Sequence, residues 1–278
     1  MNDFGIDFRK IWRLLSEEQW WDPSYSTGKA YVTACFAKIA YLHIPDMELD
    51  DAGRAKFIPC YENERMRGLR QKYDVLEFLS RGDFGDVFII ETEYSVSVIT
   101  RAYNLLIIAT RGTKTLNDAW VDVKARNKKF TVNGTTYSFH RGFLQLARDL
   151  WEEIVETLIE KNLLTRDVPI YFAGHSLGGA LSANMRMLMA ASELADGQTY
   201  IFGTPKYCDA GVLRDFETPK AVINPRDLVP KVPPWLANYP VAQVIPPYAK
   251  GFPLRLKRVL QHHSMEHYLT EIDRLLPP

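Results

Sequence analysis

The chain has 278 residues, of which 46% are hydrophobic, and its 34 Lys plus Arg are matched by 34 Asp plus Glu. That length and apolar content suffice for a large core, and the balanced charge removes the basic footprint that a nucleic-acid partner requires. The three cysteines, Cys35, Cys60 and Cys208, are too few and odd in number for a secreted disulfide framework.

Residues 1–21 scatter Asp3, Asp7, Arg9, Lys10, Arg13, Glu17 and Glu18 among apolar residues, so no uncharged leader core is expected there. No later run reaches the roughly 18 apolar residues of a membrane span, so no transmembrane segment is expected. The expected location is cytoplasmic, with signal-independent secretion as the alternative. No repeat, low-complexity tract or Ser/Gly linker interrupts the chain, which predicts a single domain over 1–278 with an N-terminal helical segment at about 1–45.

In chain order, Ser26 or Thr27 is placed to cap a helix whose apolar face is Tyr31, Cys35, Ile39 and Leu42, with Pro45 as its stop. A polar, turn-rich stretch runs from there to about Asp86. Short β-rich runs follow at Val87–Ile90, Tyr94–Ile99 and Leu105–Ala109. Phe130–Phe139 alternates around Asn133-Gly134, a type I′ hairpin signal. Phe143–Leu163 carries a helical stripe of Phe143, Leu146, Ala147, Leu150, Ile154, Leu158 and Ile159. Compact apolar runs return at Val168–Ala173, Thr199–Phe202 and Lys220–Ile223, with a helix-forming stretch, Ala180–Leu194, between the first two. Continuous apolar runs separated by helices predict strands buried on both faces, hence a mostly parallel central sheet flanked by helices.

Ligands of such sheets sit beyond the carboxyl ends of the strands, so the residues that follow each run matter most. Those are Arg111-Gly112-Thr113, then Gly174–Gly179, then Gly203-Thr204-Pro205, then Asn224–Asp227. Gly174-His175-Ser176-Leu177-Gly178 fits the G-x-S-x-G nucleophile elbow, in which a tight strand-to-helix turn exposes the serine Oγ. With Gly and Ser each near 7% of residues, a chain of this size holds about 0.1 such matches by chance, so its setting between an apolar strand and an Ala-rich helix carries the reading. A serine hydroxyl is a poor nucleophile without a neighbouring base. Of the six histidines, His43 and His140 precede the serine, against the Ser–Asp–His order of this fold, and His175 is expected to pack inside the elbow. His262, His263 and His267 remain as candidates. For the intervening carboxylate, Asp227, just past a strand in Pro-rich turn chemistry, fits better than Asp209 or Asp215.

From about Tyr31 to its end the chain resembles the class 3 (fungal-type) lipase family of α/β-hydrolases. The resemblance rests on Ile107–Thr113, His140-Arg141-Gly142-Phe143, Gly174–Ala180, Phe202–Pro205, Asn224–Pro230 and His263-Ser264-Met265 with Tyr268. It implies the α/β-hydrolase fold and a triad of Ser176, Asp227 and His263. It also implies an oxyanion hole from the Thr113 backbone N–H and hydroxyl and the Leu177 backbone N–H. Leu177 suits that role because a helix N-terminus favours developing negative charge. Lys114–Val121 occupies the family's lid position, with Leu116, Ala119, Trp120 and Val121 as an apolar face. Secreted fungal members carry signal sequences and disulfides, whereas no signal is evident here and only three cysteines are present.

Two look-alikes fall away. His263-Ser264-Met265-Glu266-His267 matches an H-x-x-E-H zinc pattern, but no third protein ligand is marked. Asp83-Phe84-Gly85 copies a kinase triplet without its companion motifs, and reads as a turn. Arg255, Lys257 and Arg258 are candidates for greeting an anionic group at the site mouth, and Trp235, Leu236, Tyr239 and Phe252 for walling an acyl cleft. The expected function is a lipase or carboxylesterase acting on lipid or small ester substrates through an acyl-enzyme, with transient contact to a lipid interface and no metal or organic cofactor. Phospholipase A1 is the alternative, and a catalytically silent lipase-fold interaction protein the more distant one.

Overall fold

The computed structural model describes residues 5–42, 75–92, 95–112, 127–165, 167–195, 197–247 and 261–277. Helix α1 (Phe8–Glu17) is capped by Asp7, whose side chain accepts from the Arg9 and Lys10 backbone N–H groups. Ser26 caps α2 (Thr27–Ile39) in the same way through Gly28 and Lys29, and a 3₁₀ turn, Ala40–Leu42, follows. The stretch read as turn-rich up to Asp86 contains a short helix, α3 (Val75–Ser80), whose Val75, Phe78 and Leu79 are buried.

Seven strands form one sheet in the order β1 (Gly85–Glu91), β2 (Val96–Ala102), β3 (Leu105–Thr110), β6 (Ile170–His175), β7 (Gly197–Phe202), β8 (Lys220–Ile223) and β9 (Val241–Val244). The β1–β2 and β2–β3 pairs are antiparallel, and the four pairs from β3 to β9 are parallel. Strands β4 (Asn127–Val132) and β5 (Thr135–His140) form a separate hairpin, with Asn133 at φ 49° and Gly134 at φ 78°, as a type I′ turn demands.

Alternation along the parallel strands divides the apolar residues between two cores. Ile107, Ala109, Tyr171, Ala173, Tyr200 and Phe202 face α1, α2 and the C-terminal α7 (Met265–Leu275). Leu106, Ile108, Ile170, Phe172 and Ile201 face α4 (Arg141–Glu160) and α5 (Leu177–Ala191). Both sheet faces are thus covered, which is why these strands read as unbroken apolar runs. Strand β9 and helix α6 (Ala210–Asp215) are additions to the expected elements. Val-Ala-Gln-Val at the sheet edge is largely exposed and has no apolar periodicity to betray it.

Candidate active site

The elbow is built by close approach. Ser176 follows β6 directly and precedes α5, at φ 59° and ψ −131°, a backbone conformation that costs on the order of 1–3 kcal/mol. Its N–H is held by the Phe202 carbonyl at 2.9 Å. A Cβ on Gly174 would lie 2.2 Å from the Gly178 carbonyl oxygen, and one on Gly178 would lie 2.2 Å from that of Thr110. Strand, turn and helix pack this tightly only without those side chains.

Three elements from distant parts of the chain then converge on the serine. His263, just ahead of α7, has Nε2 2.8 Å from Ser176 Oγ and Nδ1 2.7 Å from Asp227 Oδ2. Asp227 follows β8, and it and His263 are each 1% exposed. A buried carboxylate needs its lone pairs satisfied. Oδ1 accepts the Val229 N–H at 3.0 Å, and Oδ2 also accepts the Tyr268 hydroxyl at 2.9 Å. Burial and the neighbouring carboxylate push the Tyr268 phenol well above its ordinary pKa, so it stays a donor. The same hydroxyl accepts the Asn224 N–H at 3.0 Å. Gly203, at φ +54°, closes the back of the site: a Cβ there would lie 2.7 Å from Asp227 Oδ2 and 3.1 Å from His263 Nδ1.

The rival side chains are engaged elsewhere. His262 lies against the Asn224 side chain, and His267 Nε2 is 3.2 Å from the Pro246 carbonyl. His140 caps α4 through Phe143 N–H. Asp209 caps α6 and accepts from Ser138 N–H, while Asp215 accepts from the Tyr137 hydroxyl. Leu177 is the first residue of α5, where backbone N–H groups have no acceptor within the helix. Leu236 and Tyr239 are buried, with the Tyr239 hydroxyl on the Thr204 carbonyl, and Trp235 is exposed with its indole N–H on Asn127. Thr113, the lid candidates Leu116, Ala119, Trp120 and Val121, and also His43, Cys60, Phe252, Arg255, Lys257 and Arg258, lie outside the described residues.

Two supports had no role assigned from the residue order, although Tyr268 belongs to the residues that carry the resemblance. Tyr268 stands five residues past His263, and Tyr41, whose hydroxyl is 2.9 Å from His175 Nδ1, is well over a hundred residues before it. Both reach the site only through packing.

A mostly parallel sheet between two helical layers, with a strained serine between strand and helix, defines the α/β-hydrolase fold. Triacylglyceride lipase from Rhizomucor miehei shares it at 20% identity and TM-score 0.53, over 80% of this chain and 79% of that one. A lipase from Rhizopus microsporus var. chinensis does so at 16% identity and TM-score 0.54, over 94% and 86%. Residues 107–237, a little under half of the chain, match the family model described as lipase (class 3). The secreted mono- and diacylglycerol lipase MDL2 of Malassezia globosa is 30% identical over 153 residues, 48% of each protein. The match therefore spans about half the length of that curated relative.

That relative corrects the expectation of a cytoplasmic protein, because it is secreted and points to an extracellular location. The paucity of cysteines does not oppose this. Cys35 and Cys208 are buried, and burial pushes the Cys35 thiol up to about 12, so these thiols are shielded from oxidation without a disulfide. Among the described residues no helix is long and apolar enough to cross a membrane.

Proposed function

We propose that this chain is an extracellular hydrolase of lipid carboxylic esters, with Ser176 as nucleophile, His263 as base and Asp227 as the group that orients it. The observation that carries the reading is the buried, unbroken relay from Ser176 Oγ through His263 to Asp227 Oδ2 at 2.8 and 2.7 Å. His263 Nε2 takes the hydroxyl proton as Oγ attacks the ester carbonyl, then returns it to the leaving alcohol; water regenerates the serine by the same route. Asp227 keeps the proton on Nδ1, leaving Nε2 free to accept.

Negative charge on the carbonyl oxygen is met by the Leu177 N–H at the start of α5. Thr113 is proposed as the second donor: it follows Gly112, where a Cβ would lie 3.1 Å from the Ser176 Cβ. Leu116 and Trp120 are proposed as its lid, in transient contact with a lipid interface. Similarity to a secreted mono- and diacylglycerol lipase makes partial acylglycerols the first substrates to try.

The test is a hydrolysis profile over mono-, di- and triacylglycerols and phospholipid vesicles, with Ser176→Ala as the blank. Acylglycerol cleavage lost in the variant supports the reading. Preferential release of fatty acid from phospholipid would reassign the chain as a phospholipase, and no ester hydrolysis by the wild type would overturn the enzyme reading.

A further inference from the structure

His175 is the one ionisable side chain of the elbow, and the relay leaves it unused. Its ring is buried, its centroid 4.6 Å from that of His263 and 5.9 Å from that of Tyr268. Its Nε2 lies 2.6 Å from the backbone carbonyl oxygen of His263, and its Nδ1 lies 2.9 Å from the Tyr41 hydroxyl. A carbonyl oxygen only accepts, so Nε2 carries the proton; in the neutral ring Nδ1 is then the acceptor and Tyr41 the donor. Burial first, and the adjacent His263 second, hold His175 well below the ordinary histidine pKa and keep it in that neutral form.

The preceding carbonyl, that of His262, is gripped from the other side by Asn224 Nδ2 at 3.0 Å. Asn224 belongs to the loop that carries Asp227, and His175 to the turn that carries Ser176. Two consecutive carbonyls of the base loop are thus tied, one to each of the segments between which the imidazole must bridge. The ring of His263 is fixed at its two nitrogens and the backbone behind it at these two oxygens.

We propose that His175 is a positioning residue, its Nε2–H gripping the His263 backbone to hold the base in register with the nucleophile while Tyr41 sets its tautomer. The proposal rests on Ser176 and His263 being nucleophile and base. Proton transfer is sensitive to placement of the base, whereas binding of a short ester is not, so the loss falls on kcat.

The test is steady-state hydrolysis of a short soluble ester by His175→Phe, Tyr41→Phe and the double variant, beside Ser176→Ala and His263→Ala. His175→Phe is expected to lower kcat at least about 10-fold with KM within about 2-fold, and to slow phosphonate labelling of Ser176 in parallel. Tyr41→Phe is expected to lower kcat by about 3-fold, and to add nothing in the His175→Phe background. A folded His175→Phe with wild-type kcat, or one whose defect is confined to KM, overturns the proposal. If His175→Phe does not fold, Tyr41→Phe decides, and an unchanged kcat there overturns it. Activity surviving in Ser176→Ala or His263→Ala would instead overturn the underlying triad, so the two failures are distinguishable.

Discussion

At the residue scale, the hydrogen bonds to Ser176 and Asp227 separate neighbours that look alike in the sequence. Ser176→Ala removes only the Oγ that meets His263, so kcat is expected to fall on the order of 10³-fold or more while the melting transition stays nearly unchanged. A serine-directed phosphonate with mass spectrometry checks the site: labelling elsewhere would refute the assignment. His263→Ala should match that loss. His262→Ala and His267→Ala should keep most activity, because neither ring reaches the serine; a larger loss in either than in His263→Ala would exchange the roles. Tyr268→Phe deletes one of three hydrogen bonds to a buried carboxylate. A hydrogen bond to a charged group contributes about 1.5–3 kcal/mol, so chemical denaturation should register a loss of that size together with reduced kcat.

At the element scale, the site is where the ends of β3, β6, β7 and β8 meet the start of α7, and the tolerances between them are set by backbone. Gly203 ends β7 with φ +54° and its absent side chain leaves room for the Asp227–His263 pair. Gly203→Ala adds a strained left-handed conformation to a clash at 2.7 Å with a carboxylate that cannot retreat. The expected result is a drop of at least about 10-fold in kcat, larger than that from Gly134→Ala. Gly134 also has positive φ, but nothing within 4 Å of its Cβ position. Equal activities in the two variants would show that the close approach behind the pair is unimportant.

At the scale of the whole molecule, the buried histidines set a pH dependence of stability. Burial depresses the pKa of His175, and burial likewise lowers His262 and His267. In the unfolded chain these groups take up protons near the ordinary value of 6.5, whereas in the folded protein they resist. Below that pH the unfolded state binds more protons, so stability is full above about 6.5 and is lost as the pH falls. Thermal unfolding between pH 5 and 8 should therefore show a melting temperature that declines on the acid side. His175→Phe should flatten that decline. A wild-type melting temperature identical at both ends would contradict the neutral state of these rings.

Much of this was legible along the chain because it is local. Apolar runs such as Val168–Ala173 marked strands, since burial on both faces leaves no polar alternation, and Asn133-Gly134 marked its hairpin, since few residues accept two positive φ angles in sequence. The elbow was legible too, because steric exclusion around Ser176 writes its glycines at fixed offsets. Strand β9 was not, because an exposed edge strand carries no periodicity. Nor could residue order alone choose among His262, His263 and His267, which differ by one to five positions but face Asn224, Ser176 and Pro246 respectively. The contacts of Tyr41 and Tyr268, and the carbonyl held by His175, belong to the same class: each acts across 41 or more residues, or through a backbone atom that every residue type possesses. Such partners are chosen by how helices and loops pack over the sheet edge, where direction and distance decide, and one-dimensional spacing carries neither.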